Sequence, residues 1–208
     1  MRTLLLLLAL FPLLTLAQER VQLQNGDLLF QDMDCGPLCD AIEAVTEGYK
    51  GSDFSHMGMI YHRNDTTYVI EAAGSAVRLS TLESFSKNTQ KPMLIGRLQK
   101  KYSKLIPTAI NFALMQIGVP YDDEYVYDNG SYYCSELIYD AFKNANRGNP
   151  FFELSPMTYV QPGTEEFFPA WVQYYASIGK VIPEGEPGCN PGGLSMSDKI
   201  EIVGTIAP

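Results

Sequence analysis

The sequence predicts an α+β domain in which a mainly antiparallel sheet packs against helices. Short strand-like runs are grouped in the first half of the chain, most of them joined by turn signals. Two long helical stripes follow, and no internal repeat or low-complexity linker divides the chain. Strands grouped first, with helices supplying a second layer, are the pattern of this class.

The elements follow in order. Asn25-Gly26-Asp27 is a turn signal ahead of the apolar strand Leu28-Leu29-Phe30, and Asp27 is read as making that turn. Beyond Gly36-Pro37, Leu38, Ile42 and Val45 recur at helical spacing, and Gly48 stops that helix. Residues 56–61, 66–72, 76–79 and 93–98 read as strands, with the polar stretch His62-Arg63-Asn64-Asp65 as the turn between the first two. The longest helical stripe runs from Ser103 to Ile117 through Leu105, Ile106, Ala109, Ile110, Ala113 and Leu114, and Gly118 and Pro120 end it. A second helix from about Cys134 to Ala145 buries Leu137, Ile138, Ala141 and Phe142. Phe167, Phe168, Trp171, Tyr174 and Tyr175 read as the packing face of a C-terminal helix, with a substrate wall as the second reading. A turn-rich segment, 183–193, precedes a closing strand at 200–206.

The first 17 residues stand apart. Arg2, the apolar run Leu4 to Leu14 and the small-residue exit Thr15-Leu16-Ala17 read as a cleaved secretory signal, with an uncleaved anchor as the alternative. The remainder, 18–208, is about 190 residues and suits one domain. The expectation is an exported protein, periplasmic or extracellular, with no stable membrane insertion after cleavage. Its formal charge of −9 argues against nucleic acid or an anionic membrane surface as partner, since both require clustered Lys and Arg.

Four cysteines in an exported chain invite a disulfide. If Cys134 stays free, Cys35, Cys39 and Cys189 leave one pair and one thiol, and the pairing stays open. Zinc at Cys35, Cys39 and a His lacks a second ligand pair in a chain with two His, so no metal or organic cofactor is called for.

Cys134 lies where the polar loop Ser131-Tyr132-Tyr133 gives way to a helical pattern. A thiol in the first turn of a helix meets the positive end of the macrodipole and unpaired backbone donors, which favour thiolate and can stabilise an oxyanion. Taken alone, Cys134 reads first as a small buried residue, as most free cysteines are, and only second as a nucleophile. A nucleophile needs a base. His56 sits in a strand with Gly58 leaving room on its own face, whereas His62 falls in a turn and reads as exposed. If residues 62–65 form a four-residue loop, Tyr61 pairs with Thr66 and His56 faces Glu71. Their Cβ atoms would then stand about 4.5–5.5 Å apart, so that Glu71 orients the ring and stabilises its imidazolium. A two-residue slip makes the pair diagonal, while a one-residue slip sends Glu71 to the wrong face.

Five short motifs then occur in order: Gly26-Asp27-Leu28-Leu29-Phe30-Gln31, Ser55-His56-Met57-Gly58, Val69-Ile70-Glu71-Ala72, Gly118-Val119-Pro120-Tyr121-Asp122 and Tyr132-Tyr133-Cys134-Ser135-Glu136-Leu137. Together they resemble the permuted papain-like enzymes of the NlpC superfamily, the YaeF/YiiX group, over residues 25–145. The resemblance implies a circularly permuted papain-like fold, in which the helix bearing the Cys follows the strands bearing the His and the acid. It also implies Cys134 as nucleophile, His56 as base and Glu71 as third member. Departures from the pattern are the helix carrying Cys35 and Cys39 and the segment 183–193.

Tyr121, Tyr133 and Ser135 are the expected substrate contacts, with packing as the alternative for the two tyrosines. The expected activity is hydrolysis of an amide through an acyl-enzyme, acting on a small peptide or a cell-wall-derived amide. Two alternatives stand beside it. One is an acyltransferase or lipid-acyl hydrolase with the same triad, which requires an apolar acyl channel. The other is a non-catalytic binding module.

Overall fold

The computed structural model describes residues 21–208, so the expected signal at 1–17 lies outside the described residues. Strand β1 (Leu28–Gln31) leads to helix α1 (Pro37–Ala44). Strands β2 (His56–Arg63), β3 (Thr66–Ala73) and β4 (Ala76–Thr81) follow as consecutive hairpins, then helix α2 (Leu82–Ser86) and strand β5 (Met93–Leu98). Helices α3 (Ile106–Met115) and α4 (Cys134–Ala145) come next. The last third carries the short strands β6 (Ser155–Pro156) and β7 (Pro187–Gly188), helices α5 (Pro169–Ile178) and α6 (Pro191–Ser195), and strand β8 (Ile200–Ile206). One sheet runs in the order β4-β3-β2-β1-β5-β8, and β6 pairs with β7 alone. Every neighbouring pair in the large sheet is antiparallel.

Alternation along the strands divides the core. Leu28, Phe30, Met57, Met59 and Ile70 face α4, which returns Leu137, Ile138, Ala141 and Phe142. Leu29, Ile60, Val69, Met93 and Ile95 face the other way, under Phe85 of α2. Each fully buried side chain of this kind contributes roughly 1.5–3 kcal/mol. Apolar packing therefore seats the helix that carries Cys134 against β2 and β3.

Three expectations are corrected. The stripe from Ser103 is not one α-helix: residues 100–105 form a 3₁₀ turn and the α-helix begins at Ile106. The reason is Pro107, which lacks an N–H and is tolerated only in a first turn. The stripe also ends early, since Ile117 is 47% exposed. Finally, the β2–β3 loop has two residues, Asn64 and Asp65, with Arg63 opposite Thr66 and Ile60 opposite Val69. Both loop residues take positive φ (48° and 59°), as a tight hairpin turn whose twist matches its strands requires. Glu71 is therefore diagonal to His56 instead of facing it, and parity keeps both side chains on the same face.

Asp27 makes the turn and does more. It is buried, accepts from Gln24 N, and takes both Nε and Nη2 of Arg97 at 2.8 and 2.7 Å. His62 is exposed, as expected, and contacts Leu23 O and Thr67 Oγ1.

Candidate active site

His56 opens β2, where its backbone pairs with Gln31 of β1. Its ring lies 5.5 Å from that of Phe85, which covers the same sheet face. Gly58 makes this possible: a Cβ there would stand 2.4 Å from Val69 Cγ1 and 3.3 Å from Phe85 Cε2. Glu71 is fully buried. Its Oε2 receives His56 Nε2–H at 2.6 Å, while Oε1 receives Ser80 Oγ–H at 2.5 Å and Arg78 Nε–H at 3.0 Å. With Nε2 committed to Glu71, Nδ1 is the ring nitrogen left for a thiol.

Cys134 is the first residue of α4 and is 6% exposed. Burial opposes a charged His56. Its hydrogen bonds with Cys134 and Glu71, and the negative charge of both, outweigh that and raise its pKa to about 9. Burial likewise opposes ionisation of Glu71. The hydrogen bond and charge of His56, the Ser80 hydroxyl and the Arg78 cation prevail, lowering its pKa to about 2. The structure thus gathers Cys134, His56 and Glu71, although 63 positions separate the acid from the thiol in the sequence.

The start of α4 is braced from below. Fully buried Glu136 accepts from Asp128 N at 3.0 Å and from Tyr133 N at 3.4 Å. Burial pushes Glu136 up to about 8 in spite of those donors. Buried Asp122 accepts from Glu124 N, Val126 N and Asn129 Nδ2, and so organises the loop that follows Tyr121.

A cavity of about 160 Å³ opens over Cys134 and His56. Leu38 and Ile42 of α1 form one wall, and Met157 and Tyr159, which follow β6, form another with Trp171 of α5. Among the described residues, no Asp, Glu, Lys or Arg lines it. Trp171 therefore belongs both to the packing of α5 and to the wall of the cavity. Tyr121, Tyr133 and Ser135 all border the cavity, with different commitments. The Tyr121 hydroxyl lies 3.4 Å from that of Tyr125. Tyr133 OH accepts from Cys189 N at 3.1 Å, and Ser135 Oγ donates to Cys189 O at 3.0 Å. These two hydroxyls hold the Cys189 segment beside the thiol.

The cysteine pairing is resolved as Cys35–Cys39, which also lines the cavity, with Cys134 and Cys189 as buried free thiols. Burial pushes Cys189 up to about 12.

Sequence reasoning missed Ser80 and Arg78. Their signal was the β3–β4 hairpin: its two-residue turn, Gly74-Ser75, sets Arg78 directly opposite Glu71, and Ser80 two residues further on shares that face.

Three comparisons with known proteins bear on this site. The sequence model of permuted papain-like amidases, the YaeF/YiiX C92 family, matches residues 22–204. An uncharacterized protein of Escherichia coli (strain K12), YiiX, is 30% identical over 130 residues, which is 60% of this chain and 59% of YiiX. The match therefore spans less than two thirds of that relative. The crystal structure of yiiX from Escherichia coli O157:H7, described as a metalloprotein, superposes with a TM-score of 0.70 at 24% identity, over 89% of this chain and 98% of that one. That likeness is one of fold. Among the described residues of the present chain, no group of three or more His, Cys, Asp or Glu is placed to hold a metal ion.

Proposed function

Because the chain belongs to the YaeF/YiiX family of permuted papain-like amidases, we propose that it is an exported cysteine hydrolase that cleaves a small amide through Cys134, His56 and Glu71. One observation carries the proposal. A buried imidazole, held at 2.6 Å by a buried carboxylate, shares a cavity with a thiol at a helix start.

His56 takes the thiol proton at Nδ1 as Cys134 Sγ attacks the amide carbonyl, and Glu71 stabilises the imidazolium. Amides of the first turn of α4, which have no intrahelical acceptor, face the developing oxyanion. His56 then returns the proton to the leaving amine, and the acyl-enzyme remains. Water, deprotonated by His56, releases the acid and restores the thiol.

Apart from the His56–Cys134 pair, the described lining of the cavity carries no charged side chain, which supports a substrate whose group beside the scissile bond is neutral. A small peptide or a cell-wall-derived amide meets that condition if its own charges stay outside the cavity. Export to the periplasm or beyond is part of the proposal. It is supported by the N-terminal sequence and by the Cys35–Cys39 disulfide, a bond that persists in oxidising compartments. The apolar walls favour a second reading, acyl transfer with the same triad, in which an amine or hydroxyl replaces water.

The test begins with limiting iodoacetamide at pH 6, mapping the modified cysteine in wild type and in His56→Ala. Preferential labelling of Cys134 that weakens in the variant is expected, and an inert Cys134 sinks the proposal. Wild type and Cys134→Ala are then incubated with short peptides, peptidoglycan fragments and N-acyl amines, with and without an added amine acceptor. Free acid marks hydrolysis, and a new amide marks transfer.

A further inference from the structure

We propose that Ser80 and Arg78 act together as a clamp on Glu71, positioning residues that keep it ionised and turned toward His56; the clamp rests on the cysteine-hydrolase reading above. Three adjacent strands supply the parts. His56 comes from β2, Glu71 from β3, and Arg78 and Ser80 from β4, all on one face of the sheet. Arg78 is the direct cross-strand partner of Glu71, and Ser80 is the partner of Val69, two residues along.

The carboxylate is divided between two tasks. Oε2 faces His56, and Oε1 receives both the Ser80 hydroxyl and the Arg78 Nε–H. A carboxylate with one partner can rotate about its last bond. Two donors on Oε1 leave Oε2 one direction, that of the imidazole. Charge makes the second requirement. With thiolate, imidazolium and carboxylate all present, the buried set carries one net negative charge, which burial disfavours. The Arg78 cation makes the set neutral.

Arg78 reaches a fully buried acid while its own side chain stays 47% exposed. Gly74, in the turn before β4, takes φ 64°, and Arg78 Nη1 packs close to it, 3.3 Å from where a Cβ would stand. Among the described residues, the charged or titratable groups facing the His56–Glu71 pair are Arg78 from β4 and Cys134 from α4. Helix α2 adds only the Phe85 ring.

The experiment measures the rate of Cys134 alkylation by iodoacetamide against pH in wild type, Arg78→Gln, Arg78→Lys and Ser80→Ala, with a thermal melt of each variant. Loss of the cation is expected to move the acid limb up by about one pH unit, so that labelling at pH 6 slows by about tenfold. Arg78→Lys restores most of it. Ser80→Ala moves the limb the same way by less. A surface ion pair with no role at the site would lower the melting temperature and leave the limb in place, and that result overturns the clamp. If Arg78→Gln does not fold, Ser80→Ala decides by the same criterion. Failure of the underlying reading looks different: wild-type Cys134 is then inert at every pH, and the clamp falls with it.

Discussion

The strand half of the site and the wall half of the cavity are built in opposite ways. In the strand half, His56, Glu71, Arg78 and Ser80 lie within 25 consecutive positions, on strands joined by two-residue turns. Both Glu71 oxygens have donors, and Glu71 and all three of those donors, His56, Arg78 and Ser80, come from one pair of hairpins. The wall half draws on α1, the residues after β6, and α5, with an apolar and uncharged lining. Polar chemistry needs sub-ångström placement, which hairpin register provides. Selection of a neutral group needs only shape and the exclusion of charge, which long-range packing of apolar side chains provides. The two halves are therefore expected to fail differently, one in rate and pH dependence, the other in substrate affinity.

The most severe break is at the junction of the halves. Cys134→Ala is expected to reduce hydrolysis by about 10⁴-fold or more while leaving substrate binding intact, read by turnover and by calorimetry. Loss of binding together with turnover would count against a purely chemical role. Next comes the strand half itself. Glu71→Gln should lower turnover by about 10²–10⁴-fold. Glu71→Ala should in addition cost about 3–5 kcal/mol of stability in denaturant melts, because it strands His56 and Arg78 without their partner.

The same pair predicts a pH window for stability. Glu71, lowered to about 2 in the folded chain, contributes stability that is present above its unfolded value of 4.5 and lost as pH falls through 2. His56, raised to about 9, contributes stability that is full below its unfolded value of 6.5 and lost as pH rises through 9. The contribution of the pair is therefore greatest between about pH 4.5 and 6.5 and declines on both sides. The difference in melting temperature between wild type and Glu71→Gln, measured across pH, should trace that plateau; a flat difference would refute it.

The wall half gives smaller effects of another kind. Leu38→Ala should raise KM by about tenfold and leave iodoacetamide labelling of Cys134 unchanged, since that reagent is too small to need the wall. A change in labelling rate would show that the halves are coupled. The smallest effect is expected at the Cys35–Cys39 disulfide, which closes a very short loop. Cys35→Ser should cost no more than about 2 kcal/mol in a thermal melt, with any kinetic change confined to KM through the α1 wall.

How much of this was legible differs between the halves for the same reason. Strand periodicity placed His56 and Glu71 on one face, and that conclusion survived a two-residue error in loop length because side-chain direction repeats every two residues. The loop length itself depended on Asn64 and Asp65 adopting positive φ, which either residue tolerates without being compelled to. The α3 start is marked by Pro107, although the apolar stripe runs unbroken across it. The clamp from Ser80 and Arg78 was equally local and needed only one more hairpin register.

By itself, then, the sequence determined the strands and their faces, the helix that begins at Cys134, the order of motifs that carries the family, and the short-range parity that sets His56 beside Glu71. Those are local matters, decided by period, turn chemistry and residues a few positions apart. Only the tertiary structure decided which cysteines pair, that the Tyr133 and Ser135 hydroxyls hold the Cys189 segment, and that α1, α5 and the residues after β6 close largely apolar walls over the thiol. Each of these depends on packing between segments far apart in the chain, and apolar packing specifies volume and burial without naming its partner in advance.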